Sequence, residues 1–221
     1  DFGGGVLTGG SNQHLYDCVI TGCHGNMVAY QGVYYRCVFR NNPDSVNGIV
    51  YGNAYLGSCV FVDNGQHDRI LYNNCYTINC TFSDRTCTSA SCYMQNINGW
   101  MMNCAIDSNG SMLNFTSASC PVIGTVVYTT GGDSLKACPA IHDDPYLNAP
   151  WNGDYRIHAP SKAIGAGVPL DADYRKIPTP LILRYMRGDL TNEFLTHDDG
   201  TINAGAVAAT TPASDVYADA E

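Results

Sequence analysis

Apolar residues in this chain come in short runs of four to six, rich in Val, Ile, Phe and Tyr. Each run stops at a cluster of turn-forming residues, such as Asn41-Asn42-Pro43-Asp44, Asp63-Asn64-Gly65, Asn73-Asn74 or Ser108-Asn109-Gly110. Runs punctuated this way predict β-strands. No window of helical length carries apolar residues at i, i+3, i+4 and i+7.

The runs also repeat. Tyr16-Asp17-Cys18-Val19-Ile20 is echoed by Tyr35-Arg36-Cys37-Val38-Phe39 and Gly57-Ser58-Cys59-Val60-Phe61. Ile78-Asn79-Cys80-Thr81-Phe82 and Met102-Asn103-Cys104-Ala105-Ile106 follow. The central cysteines are 19, 22, 21 and 24 residues apart, and Tyr30, Tyr51 and Tyr72 recur every 21. Each repeat therefore holds two β-rich runs. Equivalent strands about twenty residues apart, with no helix between them, predict a solenoid of coils stacked at roughly 4.8 Å. The expected class is all-β, a right-handed parallel β-helix with coils of about 19–24 residues and an irregular C-terminal segment. The expected division is coils over 1–141, a closing segment over 142–207 and an extended tail over 208–221.

Strand alternation sorts the side chains. If each cysteine points inward, so do the residues two before and two after it. One inward column is then Tyr16, Tyr35, Gly57, Ile78 and Met102; the other is Ile20, Phe39, Phe61, Phe82 and Ile106. Outward lie the polar column Asp17, Arg36, Ser58, Asn79, Asn103 and a second column, Val19, Val38, Val60, Thr81, Ala105. That β-branched stripe is either ordinary exposed strand or a surface covered by another segment or subunit. On the second reading Val19, Val38 and Val60 form an assembly surface. Phe2, Val6 and Leu7 of the N-terminal coil and Val216 and Tyr217 of the tail belong to the same surface, because solenoid ends and small polar tails need contacts to stay ordered.

Cys37-Val38-Phe39-Arg40-Asn41-Asn42 and Cys59-Val60-Phe61-Val62-Asp63-Asn64 resemble the Phe-x-x-Asn repeats of polymorphic outer-membrane adhesins. Gly3-Gly4-Gly5-Val6 is similar to their Gly-Gly-Ala-Ile partner motif. Asp144-Pro145-Tyr146-Leu147-Asn148, the stretch from Gly153 to Gly167, and Gly200 to Val207 resemble the closing segment of bacterial right-handed β-helix proteins of the choice-of-anchor Q type. The resemblance runs from about Gly3 to Val207. It implies a secreted or surface-displayed β-helix and no single activity. The stretch from Arg175 to Phe194 is longer than that pattern, and Ala208 to Glu221 runs past it.

Twenty acidic residues against eleven basic ones give a formal charge of −9, with only three lysines and two glutamates. That balance argues against nucleic acid and anionic membranes as partners. No run of eighteen apolar residues exists, so no helical membrane insertion is expected. Beginning at Asp1 within repeat-like sequence, the chain reads as a processed form or a piece of something longer. Eleven cysteines suggest an oxidising compartment. The five repeat cysteines, however, stack with parallel Cβ vectors, which favours buried free thiols over disulfides. Cys23, Cys75, Cys87, Cys92, Cys120 and Cys138 are the better disulfide candidates, and Cys87 with Cys92 is the most plausible local pair.

Candidate chemistry is sparse. Four residues after successive repeat cysteines, Asp63 and Asp84 fall in adjacent coils, with Arg85 beside them. Paired carboxylates are what a glycoside hydrolase needs. The alternative is a turn column of Asn and Asp. Asp143-Asp144, Asp171-Ala172-Asp173 and Asp198-Asp199 make calcium possible, though solvated loops explain them as well. No other cofactor is expected. The six histidines show no triad spacing. Arg187-Gly188-Asp189 and the glycosylation patterns at Asn79, Asn109 and Asn114 are short enough to arise by chance. The expectation is a non-catalytic, extracellular or cell-surface structural or adhesive solenoid that associates with copies of itself. The alternative is a carbohydrate-active enzyme or glycan-binding module of the pectate-lyase-like β-helix type, with surface glycans as partners.

Overall fold

The computed structural model describes residues 7, 13–45, 48–65, 69–84, 94–95, 99–108, 113–114, 122–129, 140–149, 154–167 and 204–205. Among them no helix occurs, and the chain winds as a parallel β-solenoid. Each full coil feeds three ladders. The first pairs 29–30, 50–51, Leu71–Tyr72, Met94–Gln95 and Leu113–Asn114. The second pairs His14–Tyr16, 33–35, 54–57, Cys75–Ile78, Trp100–Met102 and Val122–Ile123. The third pairs Val19–Thr21, Val38–Arg40, Val60–Val62, Thr81–Asp84, Ala105–Ser108, Val126–Thr129 and Ile141–His142. Strands Ala29–Tyr35 and Val50–Gly57 run from the first ladder into the second. The two β-rich runs expected per repeat are thus three strand segments.

The repeated cysteine phrase is a corner rather than one strand. Asp17, Arg36, Ser58, Asn79 and Asn103 all have φ between 49° and 53°. This left-handed residue lies between the second and third ladders and resets the in-out alternation. The consequence splits the two expected inward columns. Phe39, Phe61, Phe82 and Ile106 are fully buried in the main core, as their spacing predicts. Tyr35, Ile78 and Met102 belong instead to a separate apolar cluster with Val33 and Trp100. Their inward neighbours on the second ladder are Tyr34, Leu56 and Met101, which join the main core. The expected inward placement of the Tyr16, Tyr35, Gly57, Ile78 and Met102 column is corrected accordingly.

In-register stacking governs the core. Phe39 and Phe61 rings lie 4.7 Å apart and 1° from parallel; Phe61 and Phe82 lie 4.8 Å apart at 12°. That is the spacing of hydrogen-bonded strands, so identical residues in successive coils fall face to face. Three residues past Phe39 and Phe61, Asn42 and Asn64 turn inward and are fully buried. Asn42 Nδ2 donates to Asn64 Oδ1 at 2.9 Å and to the Ile20 carbonyl at 3.1 Å; Asn64 Nδ2 donates to the Phe39 carbonyl at 3.0 Å. The Phe-x-x-Asn phrase therefore pairs a stacking ring with an amide that satisfies corner carbonyls.

The C-terminal part folds back on the outside of the third ladder. Strands Leu147–Ala149 and Asp154–Ile157 pair antiparallel. Leu147, Ile157, Ala163 and Ala204 bury against Val126, and Tyr155 packs with Val38, Val60 and Val62. The Gly205 amide donates to the Asn103 carbonyl at 2.8 Å. Gly205 has φ 119°, and a Cβ there would come within 3.1 Å of Thr81 Oγ1.

Candidate functional site

The valine stripe is divided by this fold-back. Val19 is 57% exposed, Val38 is half-buried, and Val60 is buried beneath the chain's own segment. Leu7 is half-buried and bridges to Ala29. Phe2, Val6, Val216 and Tyr217 lie outside the described residues, as does Arg85.

Asp63 occupies the next corner, after the third ladder. Its φ is 47°, and Gly22 and Asn41 hold the equivalent positions at 66° and 52°. The Asn41 amide donates to the Asp63 carbonyl at 3.1 Å, and the Gly22 amide donates to the Asn41 carbonyl at 2.9 Å. Asn, Asp and Gly tolerate this backbone better than other residues. Asp63 is exposed, yet surrounding protein pushes its carboxyl above the usual value. The backbone of Asp84 ends the strand of its coil, Thr81–Asp84; its side chain lies outside the described set. What the fold brings near Asp63 is Tyr155. Burial raises the Tyr155 phenol, the Asp63 charge raises it further, and Arg40 opposes them. Burial thus holds both groups toward their neutral forms. Tyr155 was invisible to the repeat argument because it comes from the hairpin, outside the coils.

A different arrangement appears on the first ladder. Ala29, Val50 and Leu71 are buried in the core, so alternation turns Tyr30, Tyr51 and Tyr72 outward. All three are half-buried. Tyr30 and Tyr51 stack at 5.6 Å, and Tyr51 and Tyr72 meet at 5.0 Å with a 58° tilt. The Arg69 guanidinium lies 4.0 Å from the Tyr72 ring centre, a cation–π contact. Gln31 Nε2 donates to the Tyr30 hydroxyl at 3.2 Å, and Asn74 Nδ2 donates to Asn53 Oδ1 at 2.8 Å. The 21-residue spacing of these tyrosines was legible in the sequence; their exposure was not.

The described cysteines are all free thiols, including Cys23 and Cys75 from the expected disulfide candidates. Cys37, Cys59, Cys80 and Cys104 occupy the same corner of successive coils and are fully buried. Each Sγ donates to a carbonyl two residues back, at 3.2–3.4 Å. Burial pushes the Cys75 thiol up to about 12 and Cys80 well above its usual value. The thiolate is the reactive form. Because they are fully buried, Cys37, Cys59, Cys75, Cys80 and Cys104 are expected to resist a chromogenic disulfide reagent in the native protein, while the half-buried Cys18 and Cys23 react first. Rapid labelling of Cys59 before unfolding, read by peptide mapping, would overturn the core assignment.

Two of the candidate calcium ligands have local partners. Asp143 pairs with Lys162 at 2.6 Å, and Asp144 Oδ1 accepts from the Tyr146 amide at 2.7 Å. Asp171, Asp173, Asp198, Asp199 and the Arg187-Gly188-Asp189 stretch lie outside the described residues. Among the described residues no three His, Cys, Asp or Glu side chains converge as metal ligands. Asn79 is fully buried at its corner, which removes it as a glycosylation acceptor in the folded chain.

No known protein family, no curated protein and no solved structure matches this chain. The ladders and their register define its class: an all-β, parallel β-solenoid.

Proposed function

We propose that this chain is a non-catalytic, secreted or cell-surface adhesive solenoid of the adhesin-repeat or choice-of-anchor Q kind. The observation that carries the reading is the outward tyrosine row on the first ladder. Its rings contact one another across three successive coils, Tyr30 stacked on Tyr51 and Tyr51 meeting Tyr72 at a tilt. Tyrosine and arginine are the residues that dominate binding surfaces. The chain's acidity and its near-absence of lysine and glutamate support an extracellular setting. Copies of the chain are further proposed partners, supported by the 57% exposure of Val19 on the strand Val19–Thr21 at the end of the third ladder.

The competing reading is a glycan-cleaving enzyme built on Asp63, next to Tyr155 and Arg40. The test incubates the full-length protein with a panel of surface polysaccharides and measures retention on the polymer and release of short products. Retention without product release is expected, unchanged in a folded Asp63→Asn, Asp84→Asn double variant. Product release that disappears in that variant would establish the enzyme instead. Self-association is read on the same preparation by light scattering, and a strict monomer at high concentration would remove that part of the proposal.

A further inference from the structure

The tyrosine row contributes no ring to the solenoid core, because the core side of its strands is filled by Ala29, Val50 and Leu71. Polar groups accompany it: Gln31 beside Tyr30, then Asn53 and Asn74 just past Tyr51 and Tyr72. None of these described residues is acidic, although the chain carries −9 overall. Phenols and amides both donate and accept hydrogen bonds.

Periodicity narrows the ligand. The row repeats at 5.6 and 5.0 Å along the solenoid. A polymer that meets the same group at every coil must advance by a similar step. An extended polypeptide advances about 3.3 Å per residue and falls out of step. Nucleic acid is disfavoured by the negative chain. A β-1,4-linked pyranose strand is extended and advances by one ring per sugar, close to the coil rise; successive rings turn over, but both edges carry hydroxyls, so a hydroxyl meets every coil. Stacking already fixes the tyrosine rotamers, so binding such a strand costs little further side-chain entropy.

We infer that Tyr30, Tyr51 and Tyr72, with Gln31, Asn53 and Asn74 beside them, bind an uncharged, linear β-1,4-linked polysaccharide laid along the solenoid axis at one sugar per coil. Arg69 acts as a positioning residue that holds the Tyr72 ring. The inference rests on the adhesive reading and names its ligand class.

Calorimetry on the full-length protein tests it, with a hexasaccharide of β-1,4-linked glucose as probe and a hexamer of galacturonate as the anionic comparison. The glucose hexamer is expected to bind, and the galacturonate hexamer to bind more weakly. Tyr51→Ala should weaken binding on the order of tenfold or more, the loss of one good contact. Tyr51→Phe keeps the ring and guards against a folding artefact; it should weaken binding by a few fold through the lost hydroxyl. Tyr128→Ser, at an exposed position on the third ladder, should bind like the parent chain. Parent-like affinity in folded Tyr51→Ala would overturn the site and leave the adhesive reading standing. No binding of the glucose hexamer, or a preference for galacturonate, would overturn the ligand class. Gradual shortening of the hexamer would overturn the non-catalytic reading while leaving the site in place.

Discussion

Replacing Phe61 with alanine is expected to lower the unfolding free energy by about 3–5 kcal/mol. Phe61 is fully buried, and its ring is held between Phe39 and Phe82 at 4.7 and 4.8 Å. Removing it leaves a gap bounded by rings two coils apart. Those rings cannot close the gap, because hydrogen bonds of the third ladder hold the strands at their spacing: Val60 N to the Cys37 carbonyl, and Thr81 N to the Cys59 carbonyl, both at 2.9 Å. A core that cannot relax keeps the full cavity term. Phe61→Leu restores part of the volume and should cost less than half as much. Urea unfolding followed by far-ultraviolet circular dichroism measures both. A loss below about 1 kcal/mol for Phe61→Ala would mean that the aromatic column is not continuous core.

The second large effect is expected at Asn64. Asn64→Ala should destabilise by about 2–4 kcal/mol, although it removes few atoms, since two buried polar groups each lose a partner. The Phe39 carbonyl loses the Asn64 donor at 3.0 Å, and the Asn42 amide loses its acceptor at 2.9 Å. The same corner must still accommodate the left-handed backbone at Asn41 and Asp63. Asn64→Ser, which can still donate, should recover part of the loss. The comparison with Asp63→Asn is informative. Asp63 is exposed at the same corner and tolerates exchange for a residue that accepts the same backbone, so that variant should change stability by less than about 0.5 kcal/mol. Equal effects at positions 63 and 64 would show that the corner amide is solvated rather than buried.

Both effects trace to features visible in the amino-acid order. A cysteine followed two residues later by an aromatic, and three after that by asparagine, recurs at coil length. Parallel strands in register place like residues over like, so the repeat itself specifies stacked rings and stacked amides. The solenoid class, the buried Phe column and the turn positions at Asn41 and Asp63 follow from local pattern alone. So does the regular spacing of Tyr30, Tyr51 and Tyr72.

Two matters were settled only by tertiary structure. The first is which side of the second ladder faces inward. Asp17, Asn79 and Asn103 are of a kind that tolerates the left-handed conformation, but Arg36 and Ser58 adopt it too, so the column as a whole does not announce that alternation restarts there. Tyr35, Ile78 and Met102 consequently leave the main core. The second is what covers the third ladder. Val60 and Val126 are buried by Tyr155, Ile157 and Ala163, residues separated from them by many coils or by the end of the repeat. Repetition determines contacts between neighbouring coils, because those recur at one spacing. A single fold-back contact occurs once and has no period to read, so the closing segment and the surface it leaves open, including the tyrosine row, are properties of the folded chain.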